Sequence, residues 1–274
     1  MVNPVVFRPR LEIGKIVARS FTLALGNAAL LVPIAVAFEV LRQALDWLLQ
    51  GKNPLIAMAS AVKGPGAHES PIDALLQLPG DLIHGIATAA MVWIAYSTLA
   101  CRPTSLADVS AAVGRNVIAI ALVQLAGAAL WAVGDAIEGT MNVVPGLVML
   151  AWLIVAVYVL LCWWVAIPAA IVENRGAFSA LRRSADLTRG QRGAIVGISA
   201  VIALIFLVPA GAVWFASGLG FPQDAQIALL SPLGLAATVL EIVALILAAT
   251  STAAIYADLR VFKDGAAPPA QPFA

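Results

Sequence analysis

Apolar residues in this chain gather into six long runs, and polar and charged residues collect in the gaps between them. The runs extend over about 26–49, 81–101, 116–138, 145–172, 194–217 and 229–257. At ~1.5 Å per helical residue, each is long enough to cross a hydrocarbon core of ~30 Å. Strict period-two alternation, the mark of a membrane barrel, is absent. An open sheet would leave backbone groups unpaired in lipid. The pattern therefore predicts an all-α integral membrane bundle of six transmembrane helices, forming one domain over residues 1–264.

Two of the gaps carry a helical period of their own. Ile13, Ile16, Val17, Phe21 and Ala24 form one stripe, and Glu12, Lys15 and Arg19 form another. Further on, Phe178, Leu181, Ala185 and Thr188 oppose Arg182, Arg183, Asp186 and Arg189. Such segments lie in the membrane plane with cations near the headgroups, which predicts interfacial amphipathic helices over about 10–25 and 176–189. The two align: Arg19-Ser20 and Gly26-Asn27 in the first match Arg183-Ser184 and Gly190-Gln191 in the second. A shorter echo over 104–115 places Leu106, Val109 and Val113 on one face. Three repeated units follow, each an interfacial helix leading into a spanning hairpin.

Aromatic residues support these boundaries. Trp47, Trp131 and Trp214 fall near one set of span ends, and Tyr96, Trp163, Trp164 and Tyr256 near the other. Trp93 and Trp152 lie between the two belts and are expected to pack between helices. Pro168 and Pro209 fall inside the fourth and fifth runs, where each removes a backbone donor and favours a kink. The loop from Gln50 to Gly80 contains an apolar stretch, Pro54 to Met58, read as a short interfacial helix. The Pro/Ala-rich stretch 265–274 reads as a disordered tail.

Composition agrees: 62% of residues are hydrophobic and 11% charged, against roughly 25% charged in soluble domains. The net charge of +1 says little, but its distribution orients the chain. Thirteen of the sixteen Lys/Arg fall in alternate gaps: before the first run, between the second and third, between the fourth and fifth, and after the sixth. Loops rich in Lys/Arg stay on the cytoplasmic side, so both termini are expected there. The first twenty residues lack a compact apolar h-region, so the first span is expected to serve as an uncleaved insertion signal. Cys101 and Cys162, both expected near cytoplasmic helix ends, are not expected to form a disulfide.

The stretch from Pro168 through Glu173, Gly176, Leu181, Arg182-Arg183-Ser184 and Thr188 to Gly190 resembles a bacterial multi-pass membrane domain family. That family is named for its occurrence in front of some glycerophosphodiester phosphodiesterases. Ile13-Gly14 through Arg19-Ser20-Phe21 resembles its opening amphipathic helix, and Tyr256, Asp258-Leu259-Arg260 its closing element. The resemblance spans nearly the whole chain and implies a six-helix protein of the bacterial inner membrane. It implies no phosphodiesterase activity. Fourteen residues follow Arg260, against ~250 in a (β/α)₈ barrel, and the hydrolase's paired His and clustered carboxylates are missing.

Ionisable groups within spans are candidates for function because they are costly in lipid. Glu39 and Arg42 lie three residues apart in the first run and can pair. Glu241 lies seventeen residues before Asp258, at a similar depth. With His84 and Asp135 these groups are expected to share one level near the outer surface, where they would line a polar vestibule suited to a cation or a cationic headgroup. Solvation at helix ends, or pairing within the bundle, is the plainer reading of the same residues. On the inner face Lys15, Arg19, Arg182, Arg183 and Arg189 are candidate contacts for anionic lipid; a purely topological role is the plainer alternative. No Ser-His-Asp set, nucleotide loop or metal-ligand spacing is present, so no catalytic residue, metal or cofactor is expected. The partners expected are membrane lipids, with a second membrane protein or another copy of the chain left open; nucleic acid is not expected. Three functions compete: a non-enzymatic protein that handles lipid or another amphiphile or organises the envelope, a small-solute or ion transporter using its glutamates, and a structural subunit of a membrane complex.

Overall fold

Helices are interrupted where the first and last of the three amphipathic stretches meet their apolar runs, at Asn27 and at Arg189–Gln191. A computed structural model describes residues 11–50, 71–140, 145–218 and 232–265. Among these residues all regular structure is helical: α1 (Ile13–Gly26), α2 (Ala28–Gln50), α3 (Pro71–Leu99), α4 (Leu106–Thr140), α5 (Pro145–Trp163), α6 (Ala166–Val172), α7 (Ala177–Thr188), α8 (Arg192–Gly218) and α9 (Pro232–Asp264). Six segments are long and apolar enough to cross a bilayer: α2, α3, α4, α5 continued by α6, α8 and α9. The protein is an all-α helical bundle with the architecture of a multi-pass membrane protein.

Burial separates a centre from a periphery. In the apolar stretches of α3 and α9, 56% and 50% of residues are buried inside the bundle, against 11% to 22% in the other four. The peripheral helices expose Val40, Ile118, Ile154, Leu207 and Val208, side chains that a bilayer covers and water would not. α3 packs against α2, α4 and α9. The buried faces of α3 and α9 are rich in alanine, including Ala87, Ala90 and Ala95 on one and Ala249, Ala253 and Ala254 on the other. Small residues let spanning helices approach closely where no hydrophobic drive between helices operates. Gly85 shows how close: a Cβ there would lie 2.4 Å from Cγ of Gln124 on α4. Gln124 in turn donates from Nε2 to the Asp81 carbonyl at 3.3 Å, an interhelical bond. Trp152 lies against Gly134, between α4 and α5, as its position outside the aromatic belts implied.

The breaks have local causes. Between α1 and α2, Asn27 donates from Nδ2 to the Leu23 carbonyl and accepts a bond from Thr98 of α3. At the start of α4, Ser105 and Asp108 form a capping box: Asp108 accepts from the Ser105 N–H and hydroxyl, and its own N–H donates back to Ser105. The fourth run breaks at Trp164–Val165. Pro168 lies four residues after Trp164 and lacks the N–H that would continue the ladder. Ser184 of α7 bridges the gap. Its hydroxyl donates to the Cys162 carbonyl at 2.8 Å and accepts from the Val165 N–H at 3.1 Å, fully buried. Ser184→Ala strands both groups and is expected to cost about 1–3 kcal/mol, read as a lowered thermal midpoint in detergent; an unchanged midpoint would mean that the break holds without this serine.

Three details differ from the sequence reading. The segment 104–115 is not a separate interfacial helix, because Leu106–Thr140 is one unbroken 35-residue helix; Gly114 and Asn116 are residues that often close helices, but no Pro breaks the ladder and the Asn116 amide bonds back to the Ala112 carbonyl of its own helix at 3.0 Å. α9 continues to Asp264, so Asp258, Arg260 and Asp264 are helical. The serines of the two aligned segments also diverge: Ser20 bonds the Ile16 carbonyl of its own helix, whereas Ser184 reaches across the break. The Pro54–Met58 helix and nearly all of the tail expected over 265–274 lie outside the described residues, as do the side chains of Trp47 and Trp214.

Candidate functional site

Polar side chains concentrate at the two ends of the bundle. At one end the start of α1, the α6–α7 corner and the end of α9 come together. Arg19 of α1 pairs with Asp258 of α9 at 2.6 Å. The Leu11 N–H donates to Gln191, between α7 and α8, at 3.2 Å. This is the basic end. Its centre is Glu173, which caps α6. Asn174 follows in the left-handed region at φ 51°, and the Arg175 N–H closes the turn on the Ala170 carbonyl at 3.0 Å.

The Glu173 carboxylate accepts from Tyr256 Oη at 2.8 Å, Arg183 Nε at 3.1 Å and Arg175 Nε at 2.5 Å. Arg183 also pairs with Asp264. Arg260 lies 3.7 Å from Asp264 and donates to Tyr96 Oη at 2.9 Å. The Tyr96 and Tyr256 rings pack at 5.7 Å between centroids. Burial alone would raise the Glu173 carboxyl, but hydrogen bonds from Tyr256, Arg183 and Arg175 and the Arg183 charge outweigh it and hold the pKa below the ordinary value. Burial likewise disfavours the Arg183 cation, yet Asp264 and Glu173 raise its pKa above the usual value. The network joins α3, α6, α7 and α9 and leaves these groups committed to one another.

The opposite end holds Glu39, Arg42 and Glu241. Glu241 stands seventeen residues before Asp258 on α9, about 26 Å along the helix. Glu39 is buried, with 6% of its surface exposed. Its Oε2 accepts from Arg42 Nε at 3.1 Å, and its Oε1 accepts from Arg42 Nη2 at 2.5 Å and Gln43 Nε2 at 2.8 Å. Arg42 Nη2 reaches on to Glu241 at 3.4 Å. His84 is exposed and feels the charges of Arg42, Glu39 and Asp81. Asp135 lies near the end of α4, and its side chain is outside those described. Three of the five residues expected at this level, Glu39, Arg42 and Glu241, are thus brought together in one ion cluster, with His84 nearby. Among the described residues, no three His, Cys, Asp or Glu side chains converge as metal ligands would.

The cations expected to meet lipid divide into two sets. Arg19 and Arg183 are turned into protein ion pairs, and Lys15 bonds its neighbour Glu12 at 2.8 Å. Arg182 on α7 and Arg189 just past its end are exposed and make no ion pair among the described residues. Arg102, in the α3–α4 connection, is exposed and unpaired in the same sense. The sequence reading passed over Glu173, Tyr256, Arg260 and Asp264 as a site. A signal was present: Tyr256, Arg260 and Asp264 recur at intervals of four, which lines them along one helix face. No protein-family model, curated protein or solved structure matches this chain.

Proposed function

We propose that this chain is a non-enzymatic protein of the bacterial cytoplasmic membrane, with both termini on the cytoplasmic side, that binds anionic lipid at its basic end and handles lipid or another amphiphile there. The observation carrying this reading is the exposure of Arg182 on α7, four residues from Phe178, which is 85% exposed instead of lying on a buried face opposite the arginines, with Arg189 exposed just past the helix end. An exposed aromatic one turn from an exposed arginine, with a second exposed arginine at the helix end, suits an anionic headgroup layer. The positive-inside bias supports the orientation. The stretches resembling the phosphodiesterase-associated membrane family supply Glu173, Arg183, Ser184, Tyr256 and Arg260 to one network, and on that ground we also propose membership of that family. The transporter reading has less support, because both Glu39 oxygens accept bonds from Arg42 and Gln43 instead of facing an open path.

The test is retention of anionic lipid by purified protein, with Arg182→Ala and Arg189→Ala combined. These residues lie outside the Glu173 network, so folding is unaffected. At about 1 kcal/mol per surface cation, the pair is expected to weaken phosphatidylglycerol binding roughly thirtyfold. Equal binding by the wild type and the double variant would reject the reading.

A further inference from the structure

A cleft of about 370 Å³ opens at the basic end between the start of α2, the end of α3 and the α3–α4 connection. Its lining grades from apolar to charged. Leu30 and Ile94 belong to the spans, Asn27 and Thr98 stand at their ends, and Arg102 and Thr104 lie beyond them. The cleft therefore straddles the level at which hydrocarbon gives way to headgroups. Its shape depends on Cys101, whose left-handed φ of 51° turns the chain at the end of α3. The Arg102 N–H then bonds back to the Ser97 carbonyl at 2.9 Å, fixing where Arg102 begins.

The electrostatics of the cleft are one-sided. Among the described residues no carboxylate lines it, and Asp108, the next acid along the chain, is held by Ser105. The neutral polar groups are already engaged: Thr98 donates to Asn27 at 2.9 Å, and Asn27 donates to Leu23 at 2.9 Å. Arg102 alone brings a guanidinium with no ion-pair partner among the described residues. A guanidinium presents a planar fork that matches phosphate oxygens. We propose that this cleft seats one anionic glycerophospholipid of the surrounding leaflet, its phosphate on Arg102 and its first chain methylenes on Leu30 and Ile94. The volume suits a headgroup and glycerol backbone, with the chains leaving through the open side. The inference rests on the lipid-binding reading above and places one lipid in a defined seat.

Cys101 supplies the readout. It is exposed and lines the cleft, whereas Cys162, the other cysteine, is buried. The full chain in neutral detergent is treated with a maleimide, and the Cys101 labelling rate is followed by peptide mass. Phosphatidylglycerol at ten times its dissociation constant is expected to slow labelling about tenfold. Phosphatidylcholine and inorganic phosphate leave the rate unchanged, Arg102→Gln abolishes the protection, and Arg102→Lys retains part of it. Equal protection by phosphatidylcholine, protection by inorganic phosphate alone, or protection that survives Arg102→Gln would overturn the seat. If Cys101 is never protected while Arg182→Ala with Arg189→Ala still lowers bound phosphatidylglycerol, the cleft proposal fails and the lipid-binding reading stands. If neither responds, both fail.

Discussion

Glu173→Ala is expected to lower the stability of the folded bundle by about 3–5 kcal/mol, the cost of removing one partner from a buried ion pair. The carboxylate is 11% exposed and the Arg183 side chain 19%, so water does little to replace the lost partner. Removing it leaves Arg183 with Asp264 alone and strips Tyr256 of the acceptor for its hydroxyl. Arg175, at 43% exposure, is solvated and contributes little. Tyr256→Phe removes one hydrogen bond and keeps the ring packing on Tyr96, so its cost is expected near 1 kcal/mol. The pH dependence carries a sign. The folded pKa of Glu173 lies below the ordinary value of 4.5, so the folded state holds this proton more weakly than the unfolded chain does. The stabilisation is fully present above pH 4.5 and is lost as pH falls through the lower folded value. Arg183, Arg260 and Tyr256 keep their protons across that range. Thermal unfolding in detergent from pH 3 to 7 reads both effects. A Glu173→Ala midpoint within a degree of wild type, or an identical acid limb in both proteins, would show that the corner is held by packing alone.

The six spans were legible because length and uninterrupted apolarity suffice to identify a spanning helix, and neither depends on tertiary contacts. The interruptions were legible in part. Asn27 and the Gly190-Gln191 corner fall where hydropathy changes character, but α4 runs unbroken through 115 because a change of polarity alone does not end a helix. The central position of α3 and α9 was hidden. Alanine-rich helices have lower hydropathy than leucine-rich ones, so the two most buried spans are among the less apolar: α3 averages 1.5, against 2.5 for α8. The pairing of Glu39 with Arg42 followed from their spacing of three, and Glu241 followed from depth. Of the Glu173 network only the spacing of Tyr256, Arg260 and Asp264 was readable; its members are drawn from four helices, and only a folded chain shows which arginine meets which acid. Arg182 and Arg183 are adjacent in sequence, yet one is exposed and the other bridges two carboxylates. Helical geometry turns neighbours about 100° apart, and only packing decides which of the two faces inward.

That distinction between sealed and open charge governs the second large effect, at the opposite end. Glu39→Leu is expected to cost about 3–5 kcal/mol, because it leaves a guanidinium 24% exposed within a span, with Glu241 at 3.4 Å as its acid partner. Glu39→Leu combined with Arg42→Leu is expected to recover most of that loss. With both charges of the α2 pair gone, two leucines match the bundle interior and the lipid around it, Glu241 is left without Arg42 and keeps the recovery short of complete, and a coupling energy above about 2 kcal/mol should appear in the double-mutant cycle. Glu241→Gln, at 44% exposure and the long end of the cluster, is expected to change stability by less than about 1 kcal/mol. This ranking separates a structural ion pair from a coupling site. A carboxylate that binds a transported cation must exchange partners during the cycle, so Glu241→Gln would abolish uptake in proteoliposomes while leaving stability unchanged, and the double leucine variant would be inactive however well it folded. A structural pair within α2 predicts the reverse: the double variant keeps its lipid binding, and Glu241→Gln behaves as wild type. Measured together, the unfolding cycle and lipid retention by the Glu39→Leu, Arg42→Leu protein decide between them, because a closed pair can be replaced by apolar contact and a working ion site cannot.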